Sequence, residues 1–434
     1  MERTGPTDIV LAAGLRLPQA KAGGAYAKED VGHLGAALVR ELLARTGVDP
    51  AEIDELICGC VGPPHDQANP ARVIGLRAGL PRSTPAYTVG RNCASGMQAV
   101  TDAWQQIASG RAEVVLAMGV EVMSAYPLVF NRRATAWFAR LARARSLPSK
   151  LAAFAGWRPS MMAPRIAITE GLTDPVSGLI MGSTAELLAR DFGITREECD
   201  GYALESHRRA ARARDEGLMH GEIAPYLPLG SDGPSLEADD GIRADQSMQA
   251  LGKLRPYFEK PDGVVTVGNA CPITDGAAAL LVTTLGRARS LGLAPLARIR
   301  DFAWSGCDPA RMGLGPVFST ARVLARAGAE LADVDVIEVN EAFAAQVIAC
   351  ERAFASETFA REQLGRDRAL GELDRARTNR NGGAIAIGHP VGATGARLVL
   401  TAAHELARTG GELALATLCI GGGQGGALLL EPVG

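Results

Sequence analysis

The sequence predicts an α/β protein made of two related halves, with a long irregular stretch inserted between them. Three observations carry this. The chain echoes itself: Ala94-Ser95-Gly96 aligns with Ala393-Thr394-Gly395, and the match continues through Ala99 with Leu398, Ala103 with Ala402, Ile107 with Leu406 and Ala117 with Ala416. In each echoed block a helix-period pattern is followed by a short apolar run, as expected of a strand buried on both faces. The composition, 51 glycines and 47% hydrophobic residues with only 5% aromatics, suits closely packed helices and strands. Strand and helix alternate in both halves, which predicts parallel sheets covered by helices.

Each element follows from its pattern. Ile53-Asp54-Glu55-Leu56-Ile57 reads as a strand, echoed by Val334-Asp335-Val336-Ile337 at a shift of 281 residues, against 299 for the later blocks. The second half therefore carries 299 − 281 = 18 extra residues between its two blocks, and the charged stretch Ser356–Arg377 is where they fit. Met97, Val100, Trp104 and Ile107 recur at helical spacing in a helix from Ala94 to about Ile107. Val114-Val115-Leu116-Ala117-Met118 is the strand after it, and Leu413–Leu418 is its counterpart. The expected organisation is a first half over 1–121, completed by about 270–286, an inserted loop domain over 122–269, and a second half over 287–434.

A chain of 434 residues exceeds one ordinary core, so two or more packing units are expected. A net charge of −3 gives no cause to expect nucleic acid. No run approaches the ~18 apolar residues of a membrane span. The opening Met1-Glu2-Arg3-Thr4-Gly5-Pro6 does not read as a signal peptide. Eight scattered cysteines then read as reduced thiols, and a cytoplasmic enzyme is expected. Cys58-Gly59-Cys60 has no second pair at metal-ligand spacing, so no metal site is expected. Cys199, Cys307 and Cys350 read as packing residues.

Chemistry concentrates in four short motifs. Cys93 lies in Arg91-Asn92-Cys93-Ala94-Ser95-Gly96-Met97, at a helix start, where the dipole and free N–H groups lower a thiol pKa. Local context alone equally allows a small buried packing residue. His389 follows the glycine-rich run Asn381–Gly388 and precedes Pro390, so a rigid loop holds an imidazole able to carry a proton near neutrality. The same loop would suit a structural histidine bonded to backbone. His33, His65, His207, His220 and His404 stand in helical or polar contexts and read as surface or satisfied side chains. Cys419 ends a strand and opens Gly421-Gly422-Gly423, a turn whose N–H groups are free to hold an oxyanion, and which a tight connection would need in any case. Asn340 opens Asn340-Glu341-Ala342-Phe343-Ala344.

In this order and spacing the four motifs resemble those of the thiolases, which make or break a carbon–carbon bond between acyl groups carried on coenzyme A. The resemblance covers nearly the whole chain. It implies two βαβαβ halves in a layered α/β/α/β/α arrangement, with a loop domain that handles coenzyme A. It implies ping-pong acyl transfer through an acyl-cysteine, by thiolytic cleavage of a 3-ketoacyl-CoA (acetoacetyl-CoA included) or by Claisen condensation of acetyl-CoA. Cys93 is then the nucleophile. His389 is the general acid/base and part of the enolate hole, and Cys419 is the base or acid at the α-carbon. Asn340 holds a water, and the N–H of Gly421 joins that of Cys93 as an oxyanion hole. Leu172, Met181, Met312 and Phe343 match positions lining the acyl and pantetheine tunnel, and Arg243 matches a nucleotide-contacting position. Cys271 stands where many members have a small Ser-Gly pair against the pantetheine arm. Coenzyme A thioesters are substrates, and no cofactor is implied.

The alternatives within this fold are a ketosynthase-like condensing enzyme and a non-catalytic acyl- or lipid-binding member. Ketosynthases use Cys with two histidines, or with His and Asn, in different motifs. A binding member would be expected to lack one of the three reactive residues. The resemblance also implies a homodimer or homotetramer. Asn340 resembles short-chain and biosynthetic members, and Ile180 stands where many acetoacetyl-CoA enzymes have a histidine. The longer loop domain and the Ser356–Arg377 insertion instead resemble the long-chain β-oxidation branch, which works beside a hydratase/dehydrogenase subunit.

One segment stands apart in charge. From Val122 to Thr169 there are seven arginines and Lys150, and no Asp or Glu, interleaved with Phe130, Trp137, Phe138, Phe154 and Trp157. Such basic, aromatic-studded helices suit an anionic membrane surface or an acidic partner. The charge would equally draw in coenzyme A phosphates, or belong to a solvated hairpin whose apolar side packs on the enzyme.

Overall fold

The computed structural model describes residues 5–433. The first half lays down strands β1 (Ile9–Arg16), β2 (Glu55–Gly59), β3 (Ala86–Val89), β4 (Val114–Val122) and β5 (Thr274–Thr284). The second lays down β6 (Ala297–Gly306), β7 (Val336–Val339), β8 (Ala414–Ile420) and β9 (Gln424–Glu431). Their order across the sheet is β7-β8-β9-β6-β1-β5-β4-β2-β3. Read outward from the centre the two halves mirror each other: β1, β5, β4, β2, β3 on one side and β6, β9, β8, β7 on the other. The place of β3 in the second half is taken by a single parallel bridge from Ile337 to Thr378.

The numbered helices are α1 (Val31–Thr46), α2 (Pro70–Ala78), α3 (Ser95–Ala108), α4 (Arg132–Arg143), α5 (Leu147–Ala155), α6 (Met181–Asp191), α7 (Arg196–Asp215), α8 (Gly315–Ala327), α9 (Ala344–Phe354) and α10 (Val391–Thr409). α3 and α10 are the equivalent helices of the repeat. They lie in a central layer, where Met97, Val100, Ala396 and Val399 share one core with Ile57, Val115, Leu280, Ala416 and Leu428. The opposite strand faces serve two outer cores. Leu56, Leu116 and Leu281 pack on α1 and α2, and Ile337, Leu415 and Leu429 pack on α8 and α9. Five layers result, α/β/α/β/α, and the strands read as unbroken apolar runs because both of their faces are covered.

The sheet is mixed, not parallel as expected. β2 pairs parallel with β3 and β4, and β7 pairs parallel with β8, but β4–β5, β5–β1, β8–β9 and β9–β6 are antiparallel. For β8 and β9 the cause is the connection between them. Gly421-Gly422-Gly423 is all that separates β8 from β9, and a turn that short can only reverse the chain. Gly422 and Gly423 take φ values of 89° and 77°, and a Cβ on Gly423 would lie 2.4 Å from the Cys307 carbonyl oxygen. At the equivalent point of the first half, between β4 and β5, the chain spends residues 123–273 instead. That stretch carries α4 to α7 and roofs the end of the sheet from which Cys93 and Cys419 emerge.

Residues 356–377 run through short helical turns to Leu364 and loop back to the bridge at Thr378. Phe359 anchors them, with ring centroids 6.5 Å from Phe192 and 5.8 Å from Phe318. α4 and α5 form a hairpin with a small core of its own, Ala134, Trp137 and Met161, closed by the Trp137 indole N–H donating to the Ala153 carbonyl at 2.8 Å. Among the described residues no helix is long and apolar enough to cross a membrane.

Candidate active site

Asn92 presents Cys93 by adopting a left-handed backbone, φ 44°, which asparagine tolerates better than most residues. Ser95 closes the turn: its hydroxyl accepts from the Arg91 N–H and donates to the Asn92 carbonyl, both at 2.8 Å. The Asn92 side chain donates to the Gly421 carbonyl at 2.8 Å, so the nucleophile loop is bonded to the triple-glycine turn. This places the Cys93 sulfur against two backbone N–H groups, its own and that of Gly421.

Those donors do not win. Burial raises the Cys93 pKa above the usual thiol value, and the two N–H groups only oppose that rise. The lowered pKa expected from a helix start is therefore corrected: desolvation outweighs the helix end, and the net direction is upward. Cys419, at the end of β8 and almost fully buried, is pushed well above the ordinary range by burial and by the neighbouring thiols Cys93, Cys350 and Cys271. Cys271 is pushed up to about 12 by burial and then by Cys93.

His389 shifts the opposite way. It is 6% exposed, and burial, assisted by Arg397, lowers its pKa to about 3. Its tautomer follows from its partners. The Thr394 hydroxyl donates to the Pro390 carbonyl at 3.0 Å and so accepts from His389 Nδ1–H at 2.6 Å. Nε2 is left with its lone pair, facing the Asn340 amide nitrogen at 3.4 Å. Asn340 Oδ1, also buried, has no partner among the described residues. His389 therefore keeps a free basic nitrogen facing Asn340, while burial raises both Cys93 and Cys419.

A cavity of about 950 Å³ opens onto Cys93, while His389, Asn340 and Cys419 lie outside its lining. Cys93, Asn92, Gly421, Met181 and Leu172 line its inner end, with Tyr126, Pro127, Val129, Ile168 and Val176 farther along. His65 also lines it and is exposed, as its reading as a surface side chain expected. Met312 and Phe343 are buried in the outer core behind α6, and Arg243 is exposed; none of the three lines this cavity. Cys271 is tied to the Asn340 motif through its N–H, which donates to the Ala342 carbonyl at 3.0 Å.

The matching family models are the thiolase N-terminal domain over residues 9–285 and the thiolase C-terminal domain over 293–432. The chain belongs to the thiolase family. Thiolases are acyltransferases, and this chain is one. It is 42% identical over 425 residues to a 3-ketoacyl-CoA thiolase of Pectobacterium carotovorum subsp. carotovorum strain PC1, a match covering 98% of this chain and 96% of that protein. The human mitochondrial 3-ketoacyl-CoA thiolase, solved also in complex with CoA, has a similar structure: TM-score 0.85 at 35% identity, covering 99% of this chain and 100% of that one. Acetyl-CoA acetyltransferase of Bacillus anthracis gives a TM-score of 0.85 at 37% identity, covering 98% of each chain.

Two buried carboxylates that organise this thiolase's site escaped the motif reading. Glu121, at the end of β4, accepts from the N–H groups of Val61 and Gly392 at 2.9 Å and Gly62 at 3.0 Å, and from the Tyr126 hydroxyl at 3.0 Å. It ties the cavity wall to the start of the helix that follows His389. Glu341 accepts from Ser206 at 2.7 Å, Asn379 at 2.9 Å, and Tyr202 and the Ile385 N–H at 3.2 Å, fixing the Asn340 loop to the histidine loop. An acidic residue closing the apolar run Val114–Val122 was the available signal for Glu121.

Proposed function

We propose that the protein is a 3-ketoacyl-CoA thiolase that works through an acyl-Cys93, with thiolysis and Claisen condensation as two directions of one reaction. The observation that carries this is the grouping of a Cys93 thiol under the Gly421 N–H, a second thiol at Cys419 on the strand leading into that turn, and a neutral His389 paired with Asn340. In cleavage His389 Nε2 takes the Cys93 proton as the sulfur attacks the ketone carbon, and the N–H groups of Cys93 and Gly421 hold the oxyanion. The C2–C3 bond then breaks. Its electrons pass into the acetyl-CoA enolate, whose oxygen faces His389 and a water on Asn340 Oδ1, and the Cys419 thiol protonates the α-carbon. Coenzyme A next attacks the acyl-Cys93. The proton it releases and the one on His389 are taken up by the two cysteine sulfurs, which returns the site to its start. A protonated Cys419 suits this direction; in condensation the same thiolate acts as the base.

The ketosynthase and non-catalytic readings are not favoured, because the two-cysteine, one-histidine grouping is complete. An apolar outer wall of Tyr126, Val129 and Ile168 supports acyl groups longer than acetyl. We read Leu172 and Met181 as walls of the acyl and pantetheine path, with Arg243, Cys271, Met312 and Phe343 supporting it at or behind the coenzyme A side. Assembly is read as a homodimer or homotetramer, with room for a hydratase/dehydrogenase subunit, in the cytoplasm. The α4–α5 hairpin supports peripheral contact with an anionic membrane: Leu147, Leu151 and Phe154 are 71%, 63% and 58% exposed beside a run of exposed cations.

The test is intact-mass measurement after incubation with acetyl-CoA or a 3-ketoacyl-CoA without free coenzyme A. One acyl adduct, mapped to Cys93 and lost on adding coenzyme A, is the expected result. No adduct would turn the reading toward a binding member of the family.

A further inference from the structure

The peptide bond joining Gly388 to His389 is held from both sides by the first half of the chain. Its N–H donates to the Thr274 hydroxyl at 2.7 Å. Its carbonyl faces the side-chain amide of Gln19, as does the carbonyl of Ile387. Both neighbours are acceptors, so the amide nitrogen is the end that faces them, donating to Ile387 O at 3.0 Å and Gly388 O at 2.9 Å. Gly388 has φ 108°, and a Cβ there would lie 2.4 Å from the Thr274 methyl, so the chain reaches this peptide in a conformation only glycine allows.

Gln19 is itself immobilised. It is 2% exposed, and its backbone N–H donates to Asp239 at 2.7 Å. Asp239 in turn takes both terminal nitrogens of the buried Arg16, at 2.7 and 2.9 Å. The Gln19 stem and Pro390 both close over Gly276, where a Cβ would lie 3.2 and 2.9 Å from them.

We infer that Gln19 is a positioning residue for His389: it fixes the tilt of the Gly388–His389 peptide, and so where the imidazole Nε2, which faces Asn340, sits in the site. This rests on the proposed role of His389. Thr394 fixes the ring about Nδ1, and the peptide plane before His389 helps to fix where the Cα–Cβ bond points. A misplacement of about 1 Å in a proton-transfer group can cost on the order of 10²-fold in rate.

The experiment compares Gln19→Met, which keeps length and removes the donor, with Gln19→Glu, Thr274→Val, the double variant Gln19→Met/Thr274→Val, and His389→Ala. Expected for Gln19→Met is a fall in thiolysis kcat of about 10- to 100-fold with KM within about threefold, and the same fall in the rate of Cys93 acylation. Thr274→Val should match it, and the double variant should lose little more than the worse single one, because both hold one peptide. The inference is overturned if Gln19→Met keeps wild-type kcat while His389→Ala is inactive, if KM rises with kcat unchanged, or if the loss equals the unfolded fraction seen by circular dichroism. Thiolysis retained by His389→Ala would overturn the reading of His389, and this inference with it.

Discussion

Gly96 and Gly395 face each other's helices across the crossing of α3 and α10. A Cβ on Gly96 would lie 2.7 Å from the Ala396 nitrogen, and one on Gly395 would lie 2.4 Å from the Met97 nitrogen. The two are equivalent positions of the repeat, so the crossing is a near-twofold contact of backbone on backbone. It sets the separation between the helix that begins after Cys93 and the helix that begins after His389.

A methyl group at either position must push the helices apart, since backbone cannot rotate away as a side chain does. Gly395→Ala is expected to cost about 1–3 kcal/mol, the ordinary overpacking range, and to lower kcat more than KM. Urea denaturation and steady-state thiolysis on the same preparation check both. A variant as stable and active as the parent would show that the crossing has slack.

The two cysteines should separate by half-reaction. Cys93→Ala is expected to abolish acyl-enzyme formation in a folded protein. Cys419→Ala should still acetylate Cys93 from acetyl-CoA, while losing condensation and the exchange of acetyl α-protons with solvent. Proton NMR of acetyl-CoA in deuterated buffer reads the exchange, and its survival in Cys419→Ala would remove the α-carbon role.

A Cys93 thiol raised by burial and a His389 imidazole lowered by it predict a particular pH dependence. Alkylation of Cys93 by iodoacetamide should keep rising through pH 8 and above. A thiolate–imidazolium pair would instead level off below pH 7. A plateau at low pH would contradict the burial-raised thiol.

His389 also links stability to pH. Its folded pKa, about 3, lies below the ordinary 6.5, so the unfolded chain takes a proton that the folded chain refuses. The stability this represents is whole above pH 6.5 and is lost as pH falls toward 3. His207, lowered to about 4 by burial and then by Arg243, has the same sign. Replacing His389 by Gln should flatten the fall between pH 6 and 5 by about one proton, ~1.4 kcal/mol per unit. Urea midpoints at both pH values measure it.

The basic hairpin makes the last prediction. Of its eight cations only Arg165 has an acidic partner among the described residues, Glu170 at 2.5 Å. Co-sedimentation with vesicles should require anionic lipid and weaken in high salt. Replacing Arg132, Arg133, Arg140 and Arg143 by Gln should reduce it by about 10³-fold, at ~1 kcal/mol per charge, with thiolysis of soluble substrates unchanged. Binding that ignores lipid charge would reduce the segment to ordinary surface.

Much of this was legible in the chain itself. The motifs around Cys93, Asn340, His389 and Cys419 are contiguous, so their chemistry could be read without knowing what lies beside them. The repeat was legible because α3 and α10 carry the same small-residue pattern, and the helix and strand limits followed from periodicity to within a few residues. What the sequence could not decide depends on segments far apart along the chain. The reversal from β8 to β9 turned on the lack of room for a crossover in three glycines. The upward shift of the Cys93 thiol turned on the surroundings that folding packs around it, since desolvation depends on every neighbour and a helix end on only one. Gln19 looks like any other polar residue in sequence, and the partners of Glu121 and Glu341 are equally hidden there; all three hold the site because folding buries them against groups whose hydrogen bonds water no longer supplies.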